Sequence, residues 1–305
     1  MSVEICFYPD WIDNSAMEKV LSAGPSPHAA QYSRIEFRFP VGCKIMIDAS
    51  VRLLSLFNQL YFCSRNVRLV FEEVGYGSTM GYLNRMGFFD YLEPGIEVLP
   101  GRPDISGKEI HGGTNASLVE IVRINCEERD DDLPTTLTKA LMQSCGGRPD
   151  AKELDGAAWT IFAELIDNIF SHSDTPIDGY AALQLYPRGH RLRVAVSDSG
   201  VGILKTLRPA LKQEFPALVD LSDIDLLVEI FRQGISRHGA DRGCGLKGSA
   251  AKAMKFRAQL DVRLPTSRLN FIPGQDGYQP NTAYCYDQLP LIWGTHICFT
   301  FSLDG

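Results

Sequence analysis

Ala158-Trp-Thr-Ile-Phe-Ala-Glu-Leu-Ile-Asp-Asn-Ile-Phe-Ser-His-Ser173 decides how this chain is read. Ile161, Phe162, Leu165, Ile166, Ile169 and Phe170 recur at helical spacing and form one wide apolar stripe. Glu164, Asn168 and His172 fall at i, i+4 and i+8, so they share a polar face, with Asp167 beside them. A solvated face accounts for such residues on an ordinary surface helix. A Glu and an Asn one turn apart also suit a Mg²⁺ ion and a polarised water, because a hard cation takes oxygen ligands and a carboxylate takes the proton.

Two further stretches carry the same ambiguity. In Arg191-Leu-Arg-Val-Ala-Val-Ser-Asp-Ser-Gly-Val-Gly-Ile203, strand alternation sets Leu192, Val194, Val196 and Asp198 on one core-facing side. A carboxylate there needs a partner, since burying it alone is costly, and an exocyclic amine serves because an ionised Asp only accepts. Gly200 and Gly202 would let a ligand approach the backbone; a plain turn is the alternative. Gly239-Ala-Asp-Arg-Gly-Cys-Gly-Leu-Lys-Gly248 opens directly into an expected helix, Leu246 to Phe256. Glycines before a helix N-terminus present free amides and the positive end of the dipole, which suits phosphate. The Gly-x-x-x-x-Gly-Lys-Ser/Thr spacing of a Walker A loop is missing.

The 305 residues are enough for two compact units. With 45% hydrophobic and 22% charged residues, the composition excludes extended disorder, collagen and coiled coil. A net charge of −7 argues against a whole-surface grip on nucleic acid. The N-terminus lacks a basic n-region, and no apolar run reaches the ~20 residues of a membrane span. Cys6, Cys43, Cys63, Cys126, Cys145, Cys244, Cys285 and Cys298 form no Cys-x-x-Cys pair and no zinc spacing. They read as buried thiols in a reducing compartment, so the expectation is a cytoplasmic protein without zinc and outside the membrane.

The clearest break is Glu127-Glu128-Arg129-Asp130-Asp131-Asp132 before Leu133-Pro134, which divides the chain into units at 1–126 and 133–305. Ahead of it, strands at Lys44 to Asp48, Val67 to Phe71 and Leu118 to Ile124 alternate with an amphipathic helix, Val51 to Cys63, and an aromatic-rich one, Met80 to Tyr91. This alternation suggests a small α/β layer. Beyond the break, helices at Thr135 to Ser144 and Lys152 to Ser171 precede a hairpin, Tyr180 to Tyr186 with Arg191 to Asp198. A polar helical stretch follows, and strands at Gln259 to Leu264 and His296 to Phe301 close the chain. The expected arrangement is helices on one face of a mixed sheet.

Glu-x-x-x-Asn on a helix, Asp-x-Gly-x-Gly after a strand, then Gly-x-Gly-Leu opening a helix resembles, in that order, the GHKL ATPase superfamily. Its members include gyrase-type topoisomerases, heat-shock chaperones, histidine kinases and anti-sigma-factor kinases. The closing strand Gly294-Thr-His-Ile-Cys-Phe-Thr-Phe301 is similar to the family's last strand. The resemblance covers Leu133 to Leu303 and implies a two-layer α/β sandwich of the Bergerat kind, behind a small α/β domain. It implies ATP and Mg²⁺ as cofactors, with Asn168 on the metal, Asp198 on the adenine amine and Gly200 and Gly202 shaping the base pocket. Gly243, Gly245 and Leu246 would meet the triphosphate, Thr295 would lie under the base, and Glu164 would act as general base. Residues 203–241 would be the mobile lid.

Among the branches, Glu164-Leu-Ile-Asp-Asn-Ile-Phe-Ser-His172 is most similar to the anti-sigma-factor kinases, which phosphorylate STAS domains. No phosphoacceptor His on a dimerisation helix precedes residue 133. The N-terminal unit weakly resembles a STAS module, with Val67 to Phe71 as strand and Gly75-Tyr-Gly-Ser-Thr-Met-Gly-Tyr-Leu83 as the turn into a helix. Ser78 or Thr79 is then a candidate phosphoacceptor, or simply an N-cap, since the usual Asp-Ser-Ser-Gly is absent. Two functions remain open. One is an ATPase or Ser/Thr protein kinase acting on a protein partner; the other is an ATP-gated interaction switch with little turnover. Many members of the superfamily are dimers, so a homodimer is a further expectation, with no stretch marking its interface.

Overall fold

The computed structural model describes residues 1–115, 118–125, 127–128, 130–145, 147–172, 175–231, 245–275 and 277–303. The chain is mixed α/β, with parallel sheets in its first hundred residues and one large antiparallel sheet built mainly from the rest. The N-terminal elements are β1 (Ser2–Cys6), β2 (Trp11–Ile12), α1 (Asn14–Ser22), β3 (Arg34–Phe39), β4 (Lys44–Ile45), α2 (Ile47–Phe62), β5 (Asn66–Phe71), α3 (Thr79–Arg85), α4 (Phe88–Tyr91), β6 (Glu97–Leu99) and α5 (Gly107–His111). Strands β1-β3-β5-β6 pair in parallel in that order, and β2 pairs with β4. A monotonic order with right-handed crossovers sends the connecting helices to one face. Ile35, Phe37, Phe39, Val67 and Leu69 point to that face and are buried. The other face meets water through a ladder of ion pairs, Glu4–Arg38–Glu36–Arg68–Glu97.

The large sheet comprises β7 (Leu118–Ile124), β8 (Gly179–Tyr186), β9 (Arg191–Ser197), β10 (Gln259–Arg263), β11 (Arg268–Pro273), β12 (Tyr278–Pro280) and β13 (His296–Ser302) in the order β12-β11-β10-β13-β9-β8-β7. Every pair in it is antiparallel, not mixed as expected. Short connections impose this on β8–β9, β10–β11 and β11–β12, because strands joined by a tight turn can only run back along each other; the other three pairings join strands far apart in the chain. Leu118 to Ile124 also differs from expectation. It precedes the charged break yet forms the edge strand beside β8 rather than part of the N-terminal layer. Helices α6 (Leu133–Cys145), α7 (Ala151–His172) and α10 (Gly245–Lys255) cover one face, against Leu183, Leu192, Val194, Val196, Val262 and Phe299.

The opposite face is covered by α2, which lies between the two sheets. Its apolar side, with Leu53, Leu56, Phe57 and Leu60, belongs to the N-terminal core, where the Phe57 and Phe37 rings lie 4.6 Å apart. Its polar residues Asp48, Arg52, Ser55 and Gln59 recur at i, i+4, i+7 and i+11 and face the large sheet, where paired Ala182 and Ala195 leave room for a helix. All four are buried and bonded across the junction: Asp48 to Arg193 (2.8 Å), Arg52 to Asp261 (3.1 Å), Ser55 to Ser197 (2.8 Å) and Gln59 to Ser199 (3.0 Å). Glu18 joins Arg52 and Arg263, and Arg268 completes the cluster on Asp261.

This packing explains a boundary that pattern reading misplaces. The expected strand Lys44 to Asp48 stops at Ile45, and α2 begins at Ile47 because Tyr186 of the large sheet accepts the Ile47 N–H at 2.9 Å. Met80 to Tyr91 is two helices, α3 and α4, divided at Gly87 in the left-handed region (φ +74°). The expected mobile lid is anchored over its described part. Helices α8 (Ile203–Glu214) and α9 (Asp223–Glu229) bury Leu204, Leu207, Leu211, Leu226 and Leu227 in the core, and Arg208 ties Leu221 O and Asp223 together. Residues 232–241 of that lid lie outside the described residues. No helix among the described residues is long and apolar enough to cross a membrane.

Candidate functional site

Helix α7 lays Ile161, Phe162, Leu165, Ile166 and Ile169 on the large sheet, which turns Asn168 toward the ends of β9 and β13. There the chain leaves β9 through Asp198, turns at Ser199 to Gly202 and enters α8. Asn168, Asp198, Gly202 and Thr295 line one narrow cleft of about 30 Å³, walled by Leu165, Ile169, Val196, Ile203 and Ile297. Four expected site residues from three separated stretches therefore meet in one small apolar-walled cavity.

Asp198 is buried, and no cation is paired with it among the described residues. Its Oδ1 accepts the Gly200 N–H at 2.7 Å and its Oδ2 accepts the Thr295 N–H at 2.9 Å. Burial pushes its carboxyl up to about 6, against the opposing pull of those two N–H groups. Each oxygen keeps a further lone pair for a donor. Thr295 Oγ1 accepts the Ile203 N–H at 3.0 Å, which leaves its own proton to give. Asn168 Nδ2 is buried without a partner, and a half-turn of the amide exchanges that nitrogen for the oxygen.

Glu164 lies one turn before Asn168, half-buried and outside the cleft lining. Burial first and Asp167 second push its carboxyl up, while Lys252 of α10 opposes them. Lys255, at the end of α10, meets Glu153 near the start of α7. Gly245 and Leu246 open α10, as expected; Gly243, along with Cys244, lies outside the described residues.

Burial overturns the expectation at Ser78 and Thr79, while Gly202 stays in the cleft lining. Gly202 adopts φ +82°, and a Cβ there would meet the Pro265 ring at 2.9 Å, so its conformation and packing by themselves call for glycine. Gly200 serves by its N–H on Asp198. Ser78 and Thr79 are not part of this site. Ser78 is buried as the N-cap of α3, accepting the Gly81 N–H at 3.0 Å and donating to Gly75 O, and the buried Thr79 hydroxyl donates to Cys43 O. Neither hydroxyl is presented to a phosphoryl donor.

No family model matches the chain, and no curated protein matches it.

Two contributors escaped sequence reading. Gly294 (φ +93°) lets β13 start against Asp198; a Cβ there would fall 2.6 Å from the Asp198 carbonyl carbon and Oδ1. Its signal, a glycine just ahead of Thr295 and the last strand, was in view but points equally to a turn. Gln59 reaches the site from behind: Ser199 Oγ and Trp293 O each accept from its Nε2 at 3.0 Å, and Trp293 N donates to its Oε1 at 2.9 Å. Nothing in the sequence pairs residue 59 with residue 293.

Proposed function

We propose that this chain is a GHKL-like protein that binds ATP with Mg²⁺ at the cleft and hydrolyses it, or transfers its γ-phosphoryl group to a protein Ser or Thr. The observation that carries this reading is the convergence of Asn168, Asp198, Gly202 and Thr295, in the chemistry and chain order the family uses. Asp198 accepts the exocyclic amine of adenine on its remaining lone pairs, in a wall otherwise apolar enough for a base. Thr295 donates its hydroxyl proton to the ring. Asn168 is the residue that would hold Mg²⁺, as the resemblance implies. Bound Mg²⁺ neutralises phosphate charge during transfer. Glu164, its carboxyl pushed up by burial, takes the proton of the attacking water or hydroxyl. Gly243, Gly245 and Leu246 are assigned to the triphosphate. In the kinase version the acceptor hydroxyl belongs to a partner, since Ser78 and Thr79 are occupied.

The test is purified protein with Mg²⁺ and ATP labelled on its γ-phosphate, with Asp198→Asn as control. Label moving to free phosphate or to protein, and failing to move in the control, supports an enzyme, and its destination separates ATPase from kinase. Bound ATP that keeps its label turns the reading to a nucleotide-gated switch. Failure of the wild-type chain to bind ATP overturns the proposal.

A further inference from the structure

The same strand ends that carry the cleft are gripped from behind by the N-terminal unit. Along β9 and beyond it, alternation sends Val196 and Asp198 toward α7, and Ser197 and Ser199 toward α2. Ser197 bonds Ser55 and His296 Nδ1, and His296 Nε2 meets Trp293 O at 3.0 Å. Gln59, fully buried, bonds both the side chain of Ser199 and the backbone of Trp293. These residues immediately flank the pair Asp198 and Gly294-Thr295. Trp293 itself is stacked on His28 (5.3 Å between centroids) and met edge-on by Phe62 (6.3 Å), so three N-terminal side chains hold this one loop.

We propose, resting on the nucleotide reading above, that Gln59 is a positioning residue through which the N-terminal unit sets the spacing of Asp198 and Thr295, and through which occupancy of the cleft is felt by α2. A primary amide is suited to this: its carbonyl and amino ends fix Trp293 at N–H and C=O together, and its second N–H fixes Ser199. Ligand binding that draws Asp198 and Thr295 together acts on Ser199 and Trp293, and so on Gln59. By reciprocity, whatever the N-terminal unit binds must change ATP affinity by the same factor as ATP changes its affinity.

The experiment is ATP·Mg²⁺ titration of the full chain by calorimetry, with melting curves on the same samples. Gln59→Leu should weaken ATP about tenfold and Ser199→Ala about threefold, with the double variant no worse than Gln59→Leu alone. Asp48→Asn is the control. It weakens the same helix–sheet junction about 16 Å away along α2, and should lower the melting temperature while leaving ATP affinity unchanged. Wild-type affinity in Gln59→Leu overturns the proposal. So does an equal loss of affinity in Asp48→Asn, which would show that any damage to the junction suffices. If Gln59→Leu does not fold, Ser199→Ala decides alone, with wild-type affinity overturning the proposal. A wild-type chain that binds no ATP overturns the nucleotide reading itself, and the coupling with it.

Discussion

Gly294→Ala tests the geometry of the cleft without touching a charge. The added Cβ would be fixed by the backbone 2.6 Å from the carbonyl carbon and Oδ1 of Asp198, a contact no rotamer change relieves. The position also lies at φ +93°, where an L side chain is strained by about 1–3 kcal/mol. Overpacking against backbone adds about 1–3 kcal/mol, because β13 must move away from the end of β9. The sum is about 4 kcal/mol, and at roughly 2 °C per kcal/mol for a chain of this size the melting temperature should fall by about 8 °C. The same displacement separates Asp198 from the Thr295 N–H, so ATP binding should weaken in those molecules that fold. Scanning calorimetry and ATP titration of one preparation read both effects. Gly24→Ala is the reference, since a Cβ there meets nothing within 4 Å and its φ is ordinary. If Gly294→Ala melts within about 1 °C of wild type, or Gly24→Ala falls as far, the close approach of β13 to Asp198 is wrong.

Asp198 should make ATP binding pH-dependent: with its carboxyl at about 6 and only the ionised form accepting adenine, the dissociation constant should rise about tenfold from pH 7.5 to pH 5. A flat profile would remove Asp198 from the base contact. Stability moves the other way on its account. The native carboxyl binds its proton more tightly than the unfolded one, so this group's contribution is full below about pH 4 and is lost as pH rises through about 6. Glu164→Gln should lower the turnover rate at least 100-fold with ATP affinity within about twofold, measured by phosphate release and calorimetry; equal turnover would dismiss Glu164 as base. Asp261→Asn should cost about 3–5 kcal/mol in urea unfolding, because Arg52 and Arg268 both rest on that one buried carboxylate. A loss under 1 kcal/mol would show that water, not Asp261, satisfies them.

Much of the site was legible because its elements are local. The stripe of α7 shows which residues stand against the sheet, and the alternation of β9 shows that Asp198 faces the same way as Val196; that Asn168 and Asp198 share a site was implied only by the family resemblance. The polar stripe of α2 was legible too, as half of an amphipathic helix, but its environment was not. Asp48, read as the end of a strand, and Arg52, Ser55 and Gln59, on the amphipathic helix, are all buried because Arg193, Asp261, Ser197 and Ser199 meet them. A polar face looks the same in sequence whether water or a matching set of side chains satisfies it. Strands β1, β3, β6, β11 and β12 also went unread, although in β3 Ile35, Phe37 and Phe39 alternate strictly with Arg34, Glu36 and Arg38.

What the sequence determined by itself is therefore the set of helices and strands whose apolar residues repeat, and the residue types that chemistry at the cleft requires. Those follow from backbone geometry, which acts over a few residues. Only the tertiary structure decided that the strand ahead of the charged break joins the large sheet, that α2 is shared by two cores, that Gly294 packs against Asp198, and that Gln59 bonds Ser199 and Trp293. These depend on contacts between residues as many as 234 positions apart, and no periodicity along the chain records which distant group supplies the missing hydrogen bond.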